Sequence, residues 1–278
     1  MSVKTEHPDP TDPAMSPLKH FGKEVRIERE RLGMSRAELG KAAHCGYSLV
    51  AKIEQGERLP ALDFAEACDR VFPTAGGRFV RLWPLIIKYA YPSWFRPFVE
   101  LEALASAIRS FEVQVVPGLL QTEEYARAVL EAGRLRTDSL DELVAARMER
   151  QRILTREFPP ELWVVLDENV LNRQMGSSRV FAAQLARLVQ EAETPSTVIQ
   201  VIPHSAGGHA GLGGAFAALT MDEGPDVVYV EAFVQGQILA DPANVKAAMR
   251  VYDLLTAVAL SPSKSLDLIH TTMKELSP

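Results

Sequence analysis

Apolar positions recur along this chain at two periods, and the change of period divides it. Over residues 18–72 the spacing is helical. Phe21, Val25, Arg29 and Leu32 stand four, four and three residues apart, one face of a helix with an arginine in its middle. A cation at an inward position either snorkels to the edge of the stripe or meets a carboxylate, because an unpaired buried charge is costly. Gly33 ends this helix. Ser35-Arg36-Ala37-Glu38 has the spacing of a capping box and opens a short second helix with Leu39 inward. After the turn His44-Cys45-Gly46, a third helix is expected over 47–55. Val50 and Ile53 face inward, and Tyr47, Ser48, Lys52 and Gln55 face outward. Gly56 stops it.

Two short helices joined by a tight turn have the geometry of a helix-turn-helix, whose second helix enters the DNA major groove. A fourth helix completes residues 18–72. Residues 78–91 (RFVRLWPLIIKYAY) read as a further helix interrupted by Pro84, and 92–97 (PSWFRP) break the pattern. Beyond that break the period mixes. Runs at 113–116, 162–167, 198–202, 215–221 and 227–234 are β-branched or alternating and are expected as strands. Helices are expected between and after them at 123–132, 140–157, 179–192 and 242–260, with Thr122 and Asp241 as caps and Pro242 at a first helical position. The organisation expected is a disordered polar leader (1–17), an all-α helix-turn-helix head of about five helices (18–75), a connecting helix and linker (76–95), and an α+β body (96–278).

Charge changes the picture only when it is resolved by region. The net charge of −6 over 278 residues argues against nucleic acid. Residues 18–90, however, hold 13 Lys+Arg against 9 Asp+Glu, a net of +4, and residues 91–278 hold 16 against 24, a net of −8. A mildly basic head precedes an acidic body, which permits phosphate binding without demanding it. No apolar run approaches the roughly 18 residues of a membrane span, and residues 1–17 lack the apolar stretch of a secretory signal. A cytoplasmic protein is the expectation. The two cysteines, Cys45 and Cys68, fall at core-like helical positions and make neither a disulfide framework nor a zinc site.

Gly33-Met-Ser-Arg-Ala-Glu-Leu39, Val50-Ala-Lys-Ile-Glu-Gln-Gly56 and Arg58-Leu-Pro60 together resemble the XRE family of repressor-type helix-turn-helix regulators. The I-E-x-G-x-R-x-P tail is the most specific part. The resemblance implies that Glu54 is the partner of Arg29, a structural ion pair clamping the third helix to the first. It also implies base contacts from Arg36, Tyr47, Ser48 and Lys52, and phosphate contacts from Ser35, Gln55 and Arg58. Two departures stand out: His44 replaces a usual glycine, and histidine tolerates positive φ better than most residues; Leu49 is apolar where a small polar residue is usual. The body, with W-F-R-P-F-V-E-L-E at 94–102 and V-P-G-L-L-Q-T-E-E-Y-A-R-A-V at 116–129, resembles the C-terminal domain of actinobacterial WhiJ-like regulators, some of them described as antitoxin-like. Such proteins are often encoded beside a small partner protein.

Catalytic chemistry finds little support in the body. The run Gly207-Gly-His-Ala-Gly-Leu-Gly-Gly214 lacks the G-K-[ST] ending and the spacing of phosphate-binding loops, and a strand rather than a helix is expected after it. His204 and His209 have no cysteine nearby, and Asp167-Glu168 reads as a turn or helix cap. No enzyme, cofactor or metal is expected. The expectation is a homodimeric transcription regulator on double-stranded, palindromic operator DNA, whose body binds a small protein or effector. The alternative is an antitoxin-like adaptor that binds DNA for autoregulation. Trp94, Phe95 and Phe98 serve either as packing or as the lining of a ligand pocket.

Overall fold

The computed structural model describes residues 17–133, 140–232 and 234–276. The expected leader falls outside these, except Pro17. The chain divides into two compact units, with the boundary between Tyr91 and Pro92.

The first unit is a bundle of five helices: α1 (Pro17–Arg31), α2 (Arg36–Ala42), α3 (Tyr47–Glu54), α4 (Leu62–Val71) and α5 (Arg78–Ile87). Its core is fully buried Phe21, Val25, Leu39, Val50, Ile53, Phe72 and Phe79. Leu32 departs from expectation and is 42% exposed. The buried face of α1 runs instead through Gly22, Val25, Glu28 and Arg29. α5 is continuous through Pro84 rather than interrupted there. Val80, whose carbonyl would otherwise accept from residue 84, is exposed and can meet water. The N-terminus of α5 is capped from α4, where the Asp69 carboxylate accepts from the Phe79 and Val80 amides at 3.0 and 2.9 Å.

The second unit is α+β. Its helices are α6 (Arg96–Leu104), α7 (Glu123–Ala132), α8 (Leu140–Arg150), α9 (Asn169–Asn172), α10 (Ser178–Ala192), α11 (Pro242–Val258) and α12 (Pro262–Glu275). Its strands are β1 (Ala105–Glu112), β2 (Glu161–Asp167), β3 (Thr197–Ile202), β4 (Phe216–Met221), β5 (Val227–Val230) and β6 (Gln237–Leu239). They form one sheet in the order β3-β2-β1-β4-β5-β6. β1 to β3 are parallel, and β4 to β6 add antiparallel strands. Helices link β1 to β2 and β2 to β3, as parallel neighbours require. One sheet face, with Ile108, Leu162, Val164, Leu166, Ile199 and Val201, carries the main core with α7, α10 and α12. The other, with Phe111, Val165, Ile202, Phe216 and Val228, packs against Tyr252 and Leu255 of α11.

Several expected elements are corrected. Residues 113–116 are not a strand; the strand is the preceding ASAIRSFE of β1, which lies centrally between β2 and β4. Its alanines and serines have weak strand propensity, and pairing on both sides overrides it. The helix expected over 140–157 ends at Arg150 and tightens into a 3-10 turn at Gln151–Thr155. The strand expected over 227–234 stops at Val230, with Phe233 outside the described residues.

Candidate nucleic-acid interface

The helix-turn-helix is assembled around one carboxylate. Glu54, at the end of α3, has a side chain only 1% exposed. Arg29 of α1 reaches it with two nitrogens, Nε to Oε1 at 2.5 Å and Nη2 to Oε2 at 3.2 Å. Arg36, the first residue of α2, donates Nε to Glu54 Oε2 at 2.8 Å. The remaining Arg29 nitrogen, Nη1, donates to the Met34 carbonyl at 2.7 Å in the α1–α2 turn. One carboxylate thus ties three helices, and the arginine that stands among apolar residues of α1 is saturated by partners. Charge-assisted bidentate pairs of this kind are the strong ones.

Backbone contact makes the same junction tight. A Cβ added to Gly22 of α1 would stand 2.2 Å from the Ile53 carbonyl oxygen of α3, so only glycine permits this approach. The α2–α3 turn needs one residue of positive φ, and His44 supplies it at φ 52°, the single non-glycine case among the described residues. Ser35 caps α2: its Oγ accepts from the Glu38 amide at 3.2 Å, and the Ser35 amide donates to Glu38 Oε2 at 2.7 Å. These bonds to Ser35 hold the Glu38 carboxyl below the usual carboxylate range.

With α3 locked from behind, its other side is open. Tyr47 is 58% exposed, and Ser48, Lys52 and Gln55 are exposed. Leu49 is half-buried, so it does not lead the outward face. Arg58 is half-buried just past the helix. Ser35 is exposed at the start of α2, but its hydroxyl donates to Glu38 Oε2 at 2.8 Å. Arg36 is the residue whose surroundings differ most from a free reader. Its guanidinium is held charged by hydrogen bonds to Glu54 first and Tyr47 second, which raise its pKa. Arg36 therefore links the buried carboxylate to the first exposed residue of α3.

A second network was not legible locally. Glu28, buried on α1, accepts from Thr74 Oγ1 at 3.2 Å, forms an ion pair with Arg31 at 2.9 Å, and is bonded by Arg78. Arg78 also meets Glu24 at 2.8 Å. Burial opposes ionisation of Glu28, yet Arg78, Arg31 and Thr74 outweigh it and lower the carboxyl pKa. The Trp83 indole donates to the Pro60 carbonyl at 3.0 Å, fixing the Arg58-Leu-Pro60 segment against α5. Arg31 apart, these contacts join residues from 23 (Pro60 and Trp83) to 54 (Glu24 and Arg78) positions apart, beyond any periodicity.

In the second unit, the glycine-rich loop runs from β3 to β4 and folds onto the sheet. A Cβ on Gly211 would stand 2.2 Å from the Phe111 ring. His209 sits edge-on to that ring, its Nε2 3.2 Å from Asp167 Oδ2 and its Nδ1 accepting from the Gly211 amide at 3.2 Å. Both ring nitrogens are occupied, which leaves no lone pair for a metal or substrate. Asp167 also caps α9 through the Asn169 amide at 2.8 Å. No group of three or more His, Cys, Asp or Glu among the described residues is placed to hold a metal ion. Phe95 and Phe98 pack with Tyr229, and the Arg150 guanidinium lies over both phenylalanine rings while pairing with buried Glu102 at 2.5 Å.

The arrangement of the first unit is that of a helix-turn-helix protein, the architecture of DNA-binding regulators. Residues 20–78 match a family described as a helix-turn-helix domain. Residues 95–271 match the domain of unknown function DUF5753, and the chain belongs to that family. No curated protein and no solved structure matches the chain. No helix among the described residues is long and apolar enough to cross a membrane.

Proposed function

We propose that this chain is a sequence-specific transcription regulator of XRE type. The observation that carries this reading is the α3 face: Tyr47, Ser48 and Lys52 project outward from a helix whose opposite side is pinned through Glu54 to Arg29 and Arg36. A recognition helix must present base-reading side chains at fixed positions, and rigid support from behind does this. Lys52 is the residue best suited to guanine, with Arg36 beside it engaged by Glu54; Ser35, Gln55 and Arg58 are assigned to the phosphate backbone.

The reading extends to assembly. One head contacts too few base pairs for specificity, so two heads from a cytoplasmic homodimer engage half-sites of a palindromic operator. The second unit, which resembles that of WhiJ-like regulators, holds the dimer contact or binds a small protein or effector. It acts without catalysis: its two loop histidines include one, His209, whose ring nitrogens are both engaged.

The test is selection of duplexes from a random pool by the full-length protein. Enrichment of a palindromic sequence, lost in Lys52→Ala with melting unchanged, is the expected result. Equal retention of all duplexes would sink the reading.

A further inference from the structure

The sheet face beneath α11 is only partly covered. Tyr252 and Leu255 of α11 pack on Phe111, Val165, Ile202, Phe216 and Val228. On the same face Arg109 of β1 stands beside Trp163 of β2, with Val198 of β3 beyond the tryptophan and Ala218 of β4 beyond the arginine. Alternation assigns the face, since side chains two apart share a side. Leu162 and Val164, on the other face, are each 1% exposed, whereas Trp163 between them is 40% exposed. A tryptophan in the interior of a sheet, with a strand paired on each side, is left open to solvent.

The cation next to it stands without an acid. Arg109 is half-buried, and its bond is one from Nη1 to Thr220 Oγ1 at 3.3 Å. Among the described residues, no carboxylate stands within ion-pair distance of it. The Tyr252 hydroxyl is buried without a hydrogen-bond partner among those residues. Burial pushes its phenol pKa up, and the Arg109 charge, close enough to be felt, offsets part of the rise. A half-buried guanidinium without an acid forgoes the charge-assisted bond that would repay its desolvation. What Arg109 lacks is an acceptor that carries negative charge.

We infer that this open part of the sheet is a docking surface for an acidic protein segment. A carboxylate of the segment pairs with Arg109, and an adjacent apolar side chain lies on Trp163 and Val198. The pairing of one aromatic anchor with one arginine is the composition of interface hot spots. An exposed sheet face does not enclose a ligand as small-molecule sites do, which favours a protein segment. The inference deepens the partner-binding part of the proposed function and rests on it; it is independent of DNA recognition.

The experiment probes a synthetic array of random short peptides with the labelled full-length protein, its Arg109→Glu and Arg109→Met variants, and Trp163→Ala. Wild type should select peptides with Asp or Glu beside an apolar residue. Arg109→Glu should switch the selection to Lys or Arg, and Trp163→Ala should weaken every selected peptide by about tenfold or more. Each variant is compared at a temperature where circular dichroism shows it folded, and Arg109→Met, which keeps the length of the side chain without its charge, is the control for lost packing. No selected peptide, a selection without charge bias, or a bias unchanged in Arg109→Glu would overturn the inference. A dimer in sedimentation that Trp163→Ala dissolves, without peptide preference, would give the face to a second copy and overturn it too. Should a partner protein co-purify equally with wild type and Arg109→Met, partner binding would stand and this surface would fall.

Discussion

Glu54 concentrates the energetics of the first unit in one side chain. Its carboxylate is almost wholly buried and receives two arginines. Truncation to alanine leaves Arg29 buried with only its Met34 and Glu30 bonds. Breaking a buried pair from one side costs roughly 3–5 kcal/mol, and Glu54→Ala should destabilise the first unit by that order in chemical denaturation. A melting curve identical to wild type would refute the clamp. Glu28 makes a prediction in pH. Its carboxyl pKa is lowered in the folded chain, so its contribution is fully present above the unfolded value, about 4.3, and is lost as pH falls through the folded value. Acid unfolding of the first unit should therefore be shallower in Glu28→Gln. Glu112, at the end of β1, runs the other way. Burial raises its pKa, a bond from Ser110 at 3.1 Å opposes the rise, and Glu231 adds to it, for a value of about 8. Stability tied to its protonated form is present below about 4.3 and lost as pH rises to about 8. Glu112→Gln should remove that slope from the pH dependence of the second unit.

At the scale of elements, the α1–α3 contact depends on a missing methyl group. A Cβ at Gly22 would collide with the Ile53 carbonyl, a backbone atom with no rotamer to yield. Gly22→Ala should separate the two helices and cost about 1–3 kcal/mol, with α3 displaced and operator affinity reduced together. Lys52→Ala and Tyr47→Ala, by contrast, should lower affinity while leaving melting unchanged, since both are exposed. Titrations of each variant on one operator separate the two cases. Much of this was legible in the sequence. The Ser35 capping box is a four-residue signal, and the periodicity of α1 by itself places Arg29 inward. Glu28 escaped because Thr74 and Arg78 lie 46 and 50 residues away. The central strand β1 escaped because its composition does not favour a strand, and its place between two partners decides it.

For the whole molecule, the proposed function has two heads acting on one operator. Half-sites should lie about one helical turn apart, roughly 34–36 Å, and a footprint should show that spacing. Affinity should fall steeply with salt, because lysine and arginine contacts to phosphate release counterions. A salt-independent complex would point away from phosphate contact. The charge separation agrees with this: residues 18–90 carry +4 and residues 91–278 carry −8, so the first unit is the one suited to phosphate.

The sequence by itself determined what is local. Helical spacing, the S-x-x-E cap and the turn residues specify α1 to α3, because each depends on neighbours within one or two helical turns. It also placed His44 at the position of positive φ, as the resemblance implied. Tertiary structure alone decided the rest. It brought Arg36 onto Glu54 beside Arg29, and made β1 a central strand. It occupied both nitrogens of His209, and left Arg109 and Trp163 side by side on the part of a sheet face that α11 does not cover. Those are contacts between residues far apart in the chain, and only strand pairing and helix packing bring them together.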